Sequence, residues 1–159
     1  DGSDDPDGKD ECLVPSDCEE GRLIRDDELQ EVFCQFWKRT KVVCVFDCCL
    51  SGTIADLRFR WPRGRRRVLE NRRCRVEAKV ITLSGCLDSQ TSADAYGVGG
   101  AREYTGAMTS CLLKVLRKNG TSNVFRILKR LRVMLRKEGF RQIPIAGTSY
   151  NLRRHRNLV

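Results

Sequence analysis

Lys41-Val-Val-Cys-Val-Phe-Asp-Cys-Cys-Leu-Ser-Gly52 decides how the rest of the chain is read. After Lys41 the run to Phe46 is continuously apolar and rich in β-branched residues. That is the pattern of a strand buried on both faces of a parallel sheet. It breaks into small and polar residues at Asp47 to Gly52. Open α/β sheets place their sites outside such carboxyl strand ends. With 159 residues and 40% hydrophobic content, the chain suits one domain with a real core.

Working outward, Lys79 to Leu83 reads as a second buried strand, ending in Ser84-Gly85-Cys86. Upstream, Cys12 to Val14 is a short apolar run stopped by Pro15. Arg25-Asp-Asp-Glu28 opens a helical pattern with Leu29, Val32, Phe33 and Phe36 on one face. Its acidic residues sit in the first turn, where the helix dipole favours them. Downstream, 87–104 is a polar, Gly-rich loop, and Thr105 to Lys118 reads as a helix closed by Asn119-Gly120. Ser122 to Glu138 is another, with Val124, Ile127, Leu128, Leu131 and Leu135 at helical spacing and Gly139 as its stop. Alternating strands and helices predict an α/β sandwich around a mostly parallel sheet.

Charge is unevenly spread across a net +9. Residues 1–31 carry thirteen acidic against three basic side chains, and 58–75 carry nine Arg against one Glu. Such a split points to two local roles. Nine cysteines with no CxxC pair, and a single histidine at His155, argue against zinc and against a disulfide scaffold. Cys34, Cys44 and Cys111 fall in apolar runs, where thiols pack as small hydrophobes. This predicts a reducing, cytoplasmic setting, with a nuclear location also open. No run of about 18 apolar residues suggests a membrane span. Asp4-Asp-Pro-Asp-Gly8 hints at an EF-hand loop, but Ser3 and Val14 occupy its first and closing positions.

Three segments together resemble the metacaspases, caspase-like cysteine peptidases of the C14 family. They are Asp10-Glu-Cys-Leu-Val-Pro15 with Ile24-Arg-Asp-Asp-Glu-Leu29, then Val43 through Thr53, then Leu83-Ser-Gly-Cys-Leu-Asp-Ser-Gln-Thr-Ser-Ala-Asp94 with Thr105-Gly-Ala-Met-Thr109. Gly139-Phe-Arg-Gln-Ile-Pro144 adds a weaker match. The resemblance implies a caspase-like three-layer sandwich and a calcium-dependent endopeptidase that cuts after Arg or Lys. It makes Cys49 the nucleophile and Asp47 the acid that holds the substrate's basic side chain. Attack on a peptide carbonyl needs a thiolate and a base. Two residues apart on a strand, Asp47 and Cys49 would face one side; the plainer reading of Asp47 is a helix cap. The resemblance also implies calcium held by Asp10, Asp26, Asp27 and Asp56.

Two departures stand out. Leu50 replaces a customary His, which should tune the pocket. The catalytic His of such enzymes precedes the acidic loop, upstream of Asp1, and His155 lies outside the matched segments. The chain is therefore expected to be the C-terminal part of one domain, inactive alone: 1–57 ends the large-subunit region, 58–75 is a linker or insert, and 76–159 is the small-subunit region. Its strand at Lys41–Asp47 is expected to lack an upstream neighbour and to expose an open edge. In the insert, Arg63, Arg65, Arg66 and Arg67 suit processing by an enzyme that cuts after basic residues. An inert insert ranks equally, and nucleic-acid binding through the Arg patch and Trp61 ranks third. Function classes are thus a peptidase acting on protein or peptide substrates, a non-catalytic pseudo-peptidase that binds proteins, or a basic nucleic-acid module. A membrane partner is not expected.

Overall fold

A computed structural model describes residues 12–18, 21–48, 54–85, 94–96, 104–119, 123–153 and 157–158. In chain order its strands are β1 (Cys12–Leu13), β2 (Ile24–Arg25), β3 (Lys41–Phe46), β4 (Phe59–Arg63), β5 (Arg66–Leu69), β6 (Lys79–Ser84), β7 (Asp94–Tyr96), β8 (Tyr104–Gly106) and β9 (Ile145–Thr148). Helix α1 (Asp26–Cys34) precedes β3, and α2 (Ala107–Asn119) and α3 (Val124–Lys137) lie between β8 and β9.

Five strands form the main sheet in the order β3-β6-β9-β4-β5. β3 and β6 run parallel in register, Val43 beside Ile81 and Val45 beside Leu83. The other three pairings are antiparallel, so the sheet is mixed and not mostly parallel. The antiparallel half arises because residues 58–75 are not a loose connection. Most of them, 59–69, fold into the β4–β5 hairpin, turning at Gly64, whose φ of +51° suits a residue without Cβ.

The α/β class is as expected, and side-chain alternation sorts the sheet into two faces. Ile81, Leu83, Ala146 and Trp61 pack under α2 and α3 with Met108, Cys111, Leu128 and Leu131. Val80 on the opposite face joins Phe33 of α1 with Ala55, Leu57 and Cys74, and Val42, Cys44 and Phe46 pack against them. The molecule therefore has three layers, helices on either side of one sheet.

α3 forms where its periodicity predicts. All five apolar positions are buried, Asn123 Oδ1 accepts the Phe125 N–H at 3.0 Å as N-cap, and Gly139 ends it at φ +88°. α1 is shorter than its apolar pattern: Phe33 is buried, whereas Val32 is 49% exposed and Phe36 lies beyond the last turn. Among the described strands β3 pairs only with β6, so it is an open edge strand as expected. It departs from the expected burial on both faces, since Val43 and Val45 remain 37% and 43% exposed. The helical layer is centred over β6, β9 and β4 and reaches these two valines only partly.

Trp61 fastens the hairpin to the sheet. Its ring is fully buried, meets Phe125 edge-on at 5.2 Å, and its Nε1–H donates to Thr148 Oγ1 at 2.9 Å. The indole is thus core and offers nothing for a base to stack upon. Beside it, Gly147 N–H donates to Thr82 Oγ1 at 3.1 Å, and a Cβ at Gly147 would stand 2.5 Å from that oxygen. Close approach of β9 to β6 requires glycine there. All seven described cysteines are free thiols. Among the described residues no helix is long and apolar enough to cross a membrane.

Candidate active site

The parallel strands β3 and β6 end side by side, and the chain leaves each at a polar residue: Asp47 after β3, Ser84 and Gly85 at the end of β6. Gly85 N–H donates to Phe46 O at 2.9 Å and keeps the two ends together. The third side of this corner is the first turn of α2. Asp47 Oδ2 accepts the backbone N–H of Thr109 at 2.8 Å. The carboxylate so occupies the positive end of α2, where unpaired N–H groups and the dipole favour an anion.

Two glycines make room for it. Asp47 Oδ1 lies 3.1 Å from where a Cβ on Gly85 would stand, and its Oδ2 fills the space that a Cβ on Gly106 would need. Any side chain at Gly106 would evict the carboxylate. Gln142 completes the corner, its Nε2 lying 3.6 Å from the same Gly85 position. Ser84 is 1% exposed, and its Oγ has no hydrogen-bond partner among the described residues. These neighbours were not assigned roles from sequence, although Ser84-Gly85, Thr105 to Thr109 and Gln142 all lie in the matched segments. The corner can hold a half-buried carboxylate in a defined orientation beside small, polar groups. That suits the binding of a single cationic side chain.

Cys49 and Leu50 lie outside the described residues. β3 ends at Phe46, so strand alternation does not extend to Asp47 and beyond. Cys48 is half-buried. His155 is likewise outside the described residues. The burial that surrounds Cys44, Cys74 and Cys111 pushes their thiols above the ordinary range, so they are structural and not nucleophilic.

Of the four aspartates expected to hold calcium, Asp10 is outside the described residues. Asp26 and Asp27 open α1; Asp26 is buried and accepts the Asp27 N–H at 2.8 Å, while Asp27 is exposed. Asp56 sits before β4 at φ +38°. Gln30, one turn along α1 from Asp26, donates to Asp56 Oδ2 at 3.0 Å and to its carbonyl at 3.1 Å. The buried Asn71 amide donates to the same oxygens. The turn carrying Asp56 is therefore tied to α1. The groups here that could face a cation, the Asp26, Asp27 and Asp56 carboxylates, offer oxygens only, which suits a hard cation. Among the described residues, however, no three carboxylate, imidazole or thiol groups converge as a metal site.

Arg63, Arg65, Arg66 and Arg67 are exposed on the hairpin. Arg65 is in its turn, Arg63 faces Arg66 across it, and Arg67 lies over the Phe59 ring at 4.8 Å.

Residues 2–154 match the caspase domain of the C14 peptidases. The chain belongs to the caspase-domain family. Within it the chain is metacaspase-like. It is 31% identical over 155 residues to Metacaspase-2 of Trypanosoma brucei brucei (strain 927/4 GUTat10.1), covering 88% of this chain and 44% of that protein. It is 33% identical over 147 residues to Metacaspase-1 of Arabidopsis thaliana, covering 86% and 40%. It is also 30% identical over 164 residues to a Trypanosoma brucei brucei protein named Inactive metacaspase-4, covering 92% and 45%. The metacaspase-like chain thus spans less than half the length of these relatives.

Proposed function

We propose that the protein containing this chain is a calcium-dependent cysteine endopeptidase that cuts after Arg or Lys. The observation that carries the reading is the Asp47 carboxylate, held in a glycine-lined corner at the carboxyl ends of β3 and β6. A guanidinium or ammonium entering that corner finds an oriented anion; a substrate Asp would meet like charge. Cys49, two residues on, is the proposed nucleophile, and its proton must pass to a base that this chain's matched segments do not contain. Calcium at Asp10, Asp26, Asp27 and Asp56 is proposed to order the loops that carry them, and no chemical step is assigned to the ion.

The test is cleavage of an Arg-containing peptide by the full-length protein. Cys49→Ala should abolish turnover, and Cys48→Ala should leave most of it. Equal loss from both, or loss from Cys48→Ala alone, sinks the assignment. A second reading, a non-catalytic partner that binds proteins through the same corner, draws on the similarity to a relative named inactive. It predicts binding of Arg peptides with no turnover in calcium.

A further inference from the structure

Two arginine-rich stretches far apart in sequence meet on one surface, whose near end reaches Gln142 beside the Asp47 corner. α3 carries Arg126, Lys129, Arg130, Arg132, Arg136 and Lys137 and no acidic residue. The β4–β5 hairpin lies beside β9, and its turn residues Gly64 and Arg65 face this helix across a groove. Gly64 and Arg65 share a groove of about 690 Å³ with Arg126, Lys129, Arg132 and Arg136. An adjoining groove of about 680 Å³ is lined by Arg63, Arg132, Arg136 and Arg141. No acidic residue is among the described residues that line either one.

Arg132 forms the ridge between them. Its Nε donates to Pro144 O at 2.8 Å and an η nitrogen donates to Pro62 O at 2.9 Å, so it braces the hairpin against the helix. Burial, and then the nearby Arg63 charge, push its pKa below the ordinary arginine range. Among the described residues no carboxylate pairs with Arg65, Arg126, Lys129 or Arg136. Crowded cations without counter-charges repel one another, and an external polyanion relieves that.

We propose that this double groove binds the sugar-phosphate backbone of a nucleic-acid strand without reading its sequence. Steps of three and four residues along α3 space its cations about 5 Å apart along the axis. That is the order of spacing of successive phosphates. Guanidinium forks pair with phosphate oxygens bidentately, and six of the seven cations that line the two grooves are arginines. Of the two aromatics that line the grooves, Phe125 packs on Trp61 and the partly buried Phe140 packs against the core, so neither stands free for a base to stack upon. An acidic peptide would use the same charges, but two adjoining grooves lined by seven cations and no described acidic residue match the dense, regular charge of a phosphate backbone better. From sequence the hairpin's arginines ranked low as a nucleic-acid site; their convergence with α3 is what changes that ranking.

The experiment is fluorescence anisotropy of the full-length protein with a labelled oligo-uridine RNA of about 20 nucleotides. Affinity should fall at least tenfold between about 50 and 200 mM salt. Arg126→Gln with Lys129→Gln and Arg136→Gln should weaken binding by about tenfold or more and reduce the slope of log K against log salt by about 2. Lys41→Gln, at the opposite edge of the sheet, should bind as the parent does. Circular dichroism melts accompany each variant, and if the triple variant melts early, Arg126→Gln alone carries the comparison. No binding at the lowest salt, or parent-like binding by the groove variants, overturns the proposal. So does displacement of the RNA by poly-glutamate of equal charge, which would assign the surface to acidic proteins.

Discussion

Asp47 and Thr109 stand 62 residues apart in sequence and are joined by one hydrogen bond, Thr109 N–H to Asp47 Oδ2 at 2.8 Å. The bond lets one carboxylate serve two ends: it caps α2, and it presents a fixed negative charge at the strand ends. The two roles separate by substitution. Asn can accept the same N–H but carries no charge, so Asp47→Asn should leave the melting temperature nearly unchanged. Cleavage of an Arg peptide should fall about 30- to 1000-fold, the loss of roughly 2–4 kcal/mol of charge-assisted contact. Asp47→Ala should lose both, with about 1 kcal/mol of stability from the missing cap. An Asp47→Asn protein that still prefers Arg peptides would refute the role.

Trp61 is expected to be among the costliest residues to truncate. Trp61→Ala removes a fully buried indole and should destabilise by about 3–5 kcal/mol, read as a shift in the denaturant midpoint. Trp61→Phe keeps most of the packing but leaves Thr148 Oγ1 without its donor, and should cost about 1–3 kcal/mol. A Trp61→Ala protein as stable as the parent would contradict the hairpin's integration into the sheet.

Calcium titration calorimetry on the full-length protein addresses the proposed ion site. Asp26→Ala with Asp27→Ala should weaken affinity by about tenfold or more, since charge count tunes such sites. Because Gln30 and Asn71 now donate N–H groups to Asp56, binding there must turn or displace those amides. Gln30→Ala is therefore expected to change calcium affinity as well. Unchanged affinity in the double Asp variant would remove these residues from the site.

The buried thiols impose a pH dependence. Cys44, Cys74 and Cys111 are raised above 9.0 chiefly by burial. The unfolded chain ionises them first, so their contribution to stability is whole below 9.0 and is lost as pH rises through the folded values. Denaturant midpoints should fall between about pH 8 and pH 10, and by less in a Cys111→Ala protein compared with its own value at the lower pH. A midpoint that does not fall over this range would show that the thiols are already exchangeable with solvent.

What was legible in the sequence was local. α3 is written in its own residues, from Asn123 through five buried apolar positions to Gly139. β3 and β6 were legible as apolar runs, but the exposure of Val43 and Val45 was not, since it depends on how far the helical layer reaches. The hairpin was misread because its arginines conceal the inward Trp61, and the strand that pairs with it, β9, is remote in sequence. Gly64 was the one local turn signal within that stretch. At the site, a helix cap was a fair reading of Asp47, and the donor seen among the described residues, Thr109 N–H, belongs to the remote α2. Gln30 and Asn71 around Asp56 carried no sequence signal beyond the position of Gln30 one helical turn from Asp26.

The strand order has a consequence for synthesis. β4 meets the rest of the sheet through β9, which begins at Ile145, about eighty residues after β4 is complete at Arg63. At roughly 5–20 residues per second, the ribosome leaves that hairpin waiting about 4–16 s for its partner. Throughout that interval Trp61 has no Thr148 to bond, and for most of it no Phe125 to cover it, while five arginines of the hairpin surround it with charge. The same basic residues that obscure the hairpin in the sequence keep the nascent segment dissolved until the last strand arrives to seat it.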